Sequence, residues 1–483
     1  MGAGAASGFE PREARGVATG NGDAGRRIYR RREIEQNAGS ELARSYDQDV
    51  GGFAHGPLIM LNRYEFTPCA VSVHSFQQVL PSGQSMMNTK LADVCIIGGG
   101  LMGCFTALFL ADTGRSVILL EKGEIGHEAS GTNFGNLRIQ GRKPEEFPLS
   151  VAAHGLWERF ETLTGESCGY ERCGHAYLAF GEAHHVKLDQ YAREANAAGI
   201  EVSVLGATEI RRRWPHLSGM VTGATWSPRD GIADPERACP AVGRAAQRSG
   251  VEVLTKTRAT QVVREKDHLC VITDQGIAVS CSQILNAAGA WSARIAADLG
   301  EVVPMFTAGP PIIATAPIAP LDLPSMLAVD GSIIFRQVET GQVILSSFPR
   351  QPSDLDRGAA SIPPERIIRD LGRLADVVPS VRGIGAQRFW SGVEGYLPDM
   401  LPVIGPSRTT PDVFHAFGFS GHGFQLAPGV GRVMADVIAK GRSEIPISAF
   451  SIARFEAGVA DDERLSREFE PTVVAAVTAS ERA

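Results

Sequence analysis

The spacing of apolar positions changes character twice between residues 92 and 121. Val94–Ile97 form a continuous apolar run, Gly98, Gly100 and Gly103 break it, apolar residues then recur at helical spacing to Leu110, and a second run, Val117–Leu120, ends on Glu121 and Lys122. A short apolar run bounded by turn residues predicts a buried strand, and the 3.6-residue recurrence after it predicts a helix. The resulting order is strand, glycine turn, helix, strand, acid, which is that of a dinucleotide-binding unit. Gly98 permits the tight turn, Gly100 lets the backbone approach a pyrophosphate, Gly103 lets the helix pack close to the sheet, and the helix N-terminus favours the anion. Glu121 follows at the distance of about 20 residues at which an acid takes the ribose hydroxyls of an adenosine, with Lys122 beside it. The glycine turn alone does not separate FAD from NAD.

Further along, the pattern predicts a helix over Pro148–Leu163, a strand over Tyr177–Phe180 and a helix over His184–Ala198. Asp234 is a suitable N-cap and Pro235 a suitable first residue for a helix that feeds a strand at Val251–Leu254. Alternating runs at Thr260–Val263, Cys270–Thr273 and Ala278–Ser280 predict an antiparallel meander, and the stretch 284–292 a buried strand ending in a small-residue turn. Strands follow near Ile312–Ala314, Ser332–Gln337 and Gln342–Ser346, then a helix over Pro364–Val377, and finally a strand, a glycine turn and a helix stopped by Gly441. The fold class is α/β. The expected FAD domain is discontinuous, over 91–165, 226–299 and 386–455; a substrate domain built on an antiparallel sheet takes 166–225 and 300–385, and 456–483 form a peripheral tail. Residues 1–90 are rich in Gly, Ala, Ser and Arg without sustained periodicity, and carry five arginines between Arg26 and Arg32. That composition predicts a disordered extension, and a true start at Met86 or Met87 is one explanation for it.

Composition narrows the function classes. The 483 residues are 43% hydrophobic and 21% charged, with a net charge of −7. This is the balance of a soluble globular protein, with no overall attraction to nucleic acid or anionic membrane. No apolar run reaches the roughly 20 residues that span a bilayer, and the N-terminus lacks the apolar core of a secretory signal. The eight cysteines are scattered, as expected of reduced thiols in a cytoplasmic protein. Cys168 and Cys173 are a single close pair, so no metal site is expected.

Four blocks in a fixed order now support a resemblance over about residues 91–455: GGGLMG with Glu121, HEASGTNFGNLR (127–138), ILNAAGAWS (284–292), and the pair WSGVEGYLPDMLPVIG (390–405) and GFSGHGFQLAPGVG (418–431). The chain resembles the D-amino-acid oxidase, glycine oxidase and sarcosine oxidase superfamily of FAD enzymes. The wording of the last pair is closest to the branch of opine oxidase, hydrogen cyanide synthase and proline dehydrogenase catalytic subunits. The resemblance implies a two-domain fold, with FAD between a Rossmann-like domain and an antiparallel-sheet domain. It implies oxidation of the C–N bond of a small amino acid or N-substituted amino acid by hydride transfer to flavin N5. It places Ser130, Gly131, Asn133 and Gly135 beside the flavin ring, Ala288 and Gly289 near the pyrophosphate and adenosine, and Gly421, Gly423 and Phe424 at a helix end facing the flavin N1–C2=O edge. His422 serves either that site or the local structure. Substrate orientation calls for an arginine, whose planar fork matches a carboxylate. Arg138 and Arg336 are the candidates, with Arg388 a weaker third. The covalent-attachment contexts are absent, so FAD is expected to be non-covalent. Electrons would pass to O2 or to the redox centre of a partner subunit in a hetero-oligomer. The alternatives are oxidation of a 2-hydroxy acid and a non-catalytic flavoprotein subunit of a redox complex.

Overall fold

The structure, a computed structural model, describes residues 88–457 and 460–480. The expected disordered extension lies outside the described residues except at 88–90, which belong to the first strand. That strand, Asn88–Ile97, pairs in parallel with Val117–Leu120 on one side and Ile277–Asn286 on the other. Glu252–Leu254 and Val413–Phe417 extend the sheet in parallel on its two flanks, and Val403–Pro406 closes one edge antiparallel. Val94 and Ile96 pack into the core beneath helices Leu101–Ala111, Pro235–Arg248 and Gly423–Lys440. Cys95 and Ile97 point to the opposite face, into a core shared with the meander. Both faces are therefore dry, which is why the strand reads as a continuous apolar run rather than an alternating one.

The second sheet runs in the order Ala386–Trp390, Ile312–Thr315, Val343–Ser346, Ile334–Gln337, Ser325–Ala328, His175–Ala179, Gly223–Ser227, Ser203–Gly206. Its pairs are antiparallel apart from Ser325–Ala328 with His175–Ala179. Helix Pro364–Val377 packs on one face and contributes Leu374, Ala375 and Val377 to a separate core. Separate cores on two sheets make this the two-domain α/β architecture.

The expected cap of Pro235–Arg248 is present: the Asp234 carboxylate accepts the Glu236 N–H at 2.9 Å. Four elements differ from expectation. The helix over 148–163 is two helices, Phe147–Trp157 and Phe160–Thr164, and the break between them stacks Trp157 flat on Phe160 at 5.4 Å. Ala278–Ser280 and the stretch from 284 are one strand, Ile277–Asn286, because its first half pairs with the meander while its full length pairs with Asn88–Ile97. Residues 386–390 join the second sheet, not the first. The stretch beyond 456 is not peripheral: Leu465, Phe469, Val473 and Val477 are buried against Tyr396, Met400 and Ala308. Short helices on either side of Phe469 put these apolar residues on one side, a pattern hidden in the sequence by the charged residues between them.

Candidate active site

A cavity of about 780 Å³ begins at the C-terminal ends of the parallel strands and extends to the second sheet, the position at which open α/β sheets bind ligands. Its first wall is the glycine turn. Gly98 has φ +114°, and a Cβ there would lie 2.3 Å from the Ala287 carbonyl oxygen; one on Gly103 would lie 2.0 Å from the Gly98 carbonyl oxygen. Neither position admits a side chain, so strand, turn and helix close to backbone contact. At the helix start, the Leu101 N–H donates to Ser130 Oγ at 2.9 Å, which ties the 127–138 loop to the turn.

Glu121 is buried, and its two oxygens accept the Gly99 and Gly123 N–H groups, each at 2.7 Å. Burial pushes its pKa up, against the pull of those two amides. A carboxylate accepts about four hydrogen bonds, so each oxygen keeps a lone pair for a ribose hydroxyl. Lys122 pairs with Glu128 and lies 3.8 Å above the centre of the Trp291 ring. Asn133 braces its own loop by accepting the Gly135 N–H at 2.8 Å and donating to the Ala129 and Ser130 carbonyls. Ala288, Gly289, Gly421, Gly423 and Phe424 line the cavity, whereas Gly131 packs against the Gly126 carbonyl and does not.

Of the arginine candidates, the structure brings Arg138 alone to the cavity. Its Nη1 donates to the Gln140 carbonyl at 2.6 Å, and its guanidinium lies over Tyr177. Arg336 does not line the cavity; its buried side chain donates from Nε to the Phe134 carbonyl at 2.9 Å, so it holds the 127–138 loop from behind. Arg336 points this way because Gly135 has no side chain to block it: a Cβ there would sit 2.7 Å from Nη2. Arg388 is exposed and pairs with Glu236 at 3.2 Å.

Arg142 was not singled out from the sequence. It is 4% exposed and lines the cavity, and its Nε and Nη1 have no hydrogen-bond partner among the described residues. Burial, then the neighbouring Arg138, pull its pKa down to about 10, so it stays charged at neutral pH. One signal for it was visible: it ends the same polar loop that carries Arg138. Glu146, equally buried, has no such signal. It accepts from His422 Nδ1 at 2.8 Å and from the Lys143 N–H at 3.0 Å. Burial drives His422 to a pKa of about 3, so its ring is neutral, with Nδ1–H donated to Glu146 and Nε2 left as an acceptor. Burial works against the Glu146 carboxylate, but His422, Arg142 and the Lys143 amide outweigh it and hold its pKa at about 2. His422 thus serves the local structure and the cavity together.

This pair sets a pH dependence. The His422 pKa falls from 6.5 unfolded to about 3 folded, and that of Glu146 from 4.5 to about 2. In both cases the unfolded chain binds the extra proton, so stability rises with pH through these ranges. The contribution of His422 is fully present above pH 6.5 and is lost as pH falls towards 3; that of Glu146 is lost between 4.5 and 2. Thermal melts at pH 7.5 and 5.0 should show lower stability at 5.0, and His422→Asn should shrink the difference. An equal gap in the variant would remove His422 as its source.

The glycine cradle, the acid with free lone pairs and the long cavity across two sheets form a dinucleotide-binding site, and they fit an extended FAD. The chain belongs to the FAD dependent oxidoreductase family, which matches residues 93–437. It is 29% identical over 380 residues to a 4-methylaminobutanoate oxidase (formaldehyde-forming) of Paenarthrobacter nicotinovorans, covering 74% of this chain and 45% of that protein. It is 26% identical over 375 residues to the glycine oxidase of Geobacillus kaustophilus, covering 76% and 98%. The crystal structure of L-proline dehydrogenase from P. horikoshii superposes with a TM-score of 0.72 at 25% identity, over 77% of this chain and all of that one. The chain spans a little under half the length of the first of these relatives. Among the described residues, no helix is long and apolar enough to cross a membrane.

Glu121→Ala should weaken FAD retention by about 2–3 kcal/mol, the worth of hydrogen bonds to a charged acceptor. Flavin occupancy after dilution, read from visible absorbance, checks this; wild-type retention would remove Glu121 as the ribose acid.

Proposed function

We propose that this chain oxidises the C–N bond of a small amino acid or N-substituted amino acid, with the substrate carboxylate held by Arg142 and Arg138. The observation that carries the reading is Arg142: a buried, charged guanidinium on the cavity wall with donors left unpartnered. Buried donors left without hydrogen-bond partners are costly, and a ligand carboxylate is a group that completes them. FAD, when bound, supplies the two-electron acceptor. The protein supplies orientation. The arginines fix one end of the substrate, and neutral His422 offers an acceptor to the amine N–H without repelling it. Fixing the carboxylate limits rotation of the reacting carbon and lowers the entropic part of the barrier.

The glycine oxidase and methylaminobutanoate oxidase similarities support an amine rather than a 2-hydroxy acid. We also propose that the two sheets mark the FAD and substrate domains, that FAD is held non-covalently, and that O2 or a partner subunit takes the electrons. The test is an anaerobic screen of amino acids, N-methyl amino acids and hydroxy acids for loss of oxidised-flavin absorbance. Bleaching by amines with release of ammonia, amine or aldehyde is expected. Bleaching by hydroxy acids alone would overturn the reading. Admitting air to the reduced protein then separates an oxidase, which reoxidises within seconds, from a dehydrogenase that needs a partner. Acid precipitation should release the flavin into the supernatant.

A further inference from the structure

The cavity wall carries a further buried arginine besides the pair assigned to an amino-acid carboxylate. Arg138, Arg142 and Arg350 line the cavity, against Glu394, whose carboxylate accepts the Tyr396 hydroxyl. Arg138 and Arg142 form no ion pair among the described residues. Arg350 is built in with care. Its guanidinium lies 4.5 Å above the Phe348 ring and about 5 Å from the rings of Tyr396 and Phe469, and Nη1 donates to Glu468 Oε2 at 2.7 Å. Nη2 lies 3.1 Å from where a Cβ on Gly421 would stand. This places it beside the loop that opens helix Gly423–Lys440.

Glu468 comes from the C-terminal segment, beyond the last residue matched to the family. That segment is fastened at both arginine positions. Around Arg350, its N–H donates to the Glu468 carbonyl at 2.7 Å and its carbonyl accepts the Glu470 N–H at 3.1 Å. Beside Arg142, Lys143 pairs with Asp461 at 3.0 Å. The Glu468 carboxylate is also shared: Arg464 and Arg467 each donate to Oε1 at 2.9 Å. Three guanidinium groups share Glu468 and Glu394 adds a second carboxylate near Arg350, while Arg350 Nε keeps no hydrogen-bond partner among the described residues. Aromatic faces around a cation fix its position and exclude water while leaving its charge in place. Such a group on a cavity wall is suited to a second anion.

Resting on the amine-oxidation reading, we propose that Arg350, positioned by Glu468, is a second anion anchor, and that the preferred substrates are amines carrying two carboxylates. The two acidic groups would divide between the Arg138–Arg142 pair and Arg350. Glu468 acts through Arg350 and touches no substrate.

The experiment compares anaerobic flavin reduction of the full chain by monocarboxylates (glycine, N-methylglycine, proline) and dicarboxylates (aspartate, glutamate, N-carboxymethylglycine). The expected result is a kcat/KM at least tenfold higher for the best dicarboxylate. Monocarboxylates that reduce the flavin as well or better overturn the proposal and leave the amine reading standing; no reduction by any amine overturns both. Arg350→Gln should bring the dicarboxylate-to-monocarboxylate ratio near one. Glu468→Gln should lower it in part, with the loss in KM for the dicarboxylate rather than in kcat. A changed flavin spectrum in Arg350→Gln with the ratio intact would show that Arg350 acts on the flavin, and would overturn the proposal. The wild-type comparison decides the matter even where a variant fails to fold.

Discussion

Arg142→Gln should lower kcat/KM for an amino-acid substrate by roughly 30-fold to several thousandfold, with flavin retained. The range follows from the about 2–5 kcal/mol lost when one partner of a buried, hydrogen-bonded charge pair is truncated, at tenfold for each 1.4 kcal/mol. Two features of the site favour the upper part of that range. Arg142 is 4% exposed, so water cannot readily replace it as a partner for the carboxylate. A carboxylate held by Arg138 alone would also let the reacting carbon drift, which slows the chemical step as well as weakening binding. The same substitution removes donors that lack hydrogen-bond partners, but also a charge that helps hold the buried Glu146 ionised, so the free protein should lose some stability. Wild-type flavin content and flavin spectrum, together with the activity loss, would separate an anchoring role from a structural one. Arg142→Lys keeps the charge but not the fork and should fall between. Wild-type kcat/KM in Arg142→Gln would show that the carboxylate is held elsewhere.

The second large effect is on the cofactor. Gly98→Ala should yield protein without flavin and with lowered stability. Alanine at φ +114° adopts a backbone conformation that costs about 1–3 kcal/mol, and its Cβ would stand 2.3 Å from the Ala287 carbonyl oxygen. That neighbour is backbone and has no rotamer to escape through, so the strand end or the 287–289 turn must shift. Both shape the first wall of the cavity, so movement of either displaces the pyrophosphate and adenosine positions together. Absorbance of the purified protein and a thermal melt check this; a yellow protein with wild-type melting would mean that the turn is more yielding than its geometry indicates.

Much of the nucleotide half was legible in the chain because its constraints are local. Gly98, Gly100, Gly103 and Glu121 belong to one strand–helix–strand unit, and a backbone that must turn within three residues and accept an anion leaves few residue choices. The Asp234 cap and the Gly441 stop were legible for the same reason, since a cap is made by residues adjacent in sequence. The arginine-bearing side of the cavity was less so. Arg336 and Arg138 look alike in sequence, each a basic residue after an apolar one, yet one faces the cavity and the other braces a loop carbonyl 202 residues away.

By itself the sequence determined the α/β class, the dinucleotide turn with its acid and the family, because each depends on residue types at short, fixed separations. Tertiary structure alone decided which arginines meet the cavity, the pairing of Glu146 with His422 across 276 residues and the return of the C-terminal segment to Arg350. Those contacts join elements distant in the chain, and the charge, burial and orientation they create exist only once the two sheets have packed.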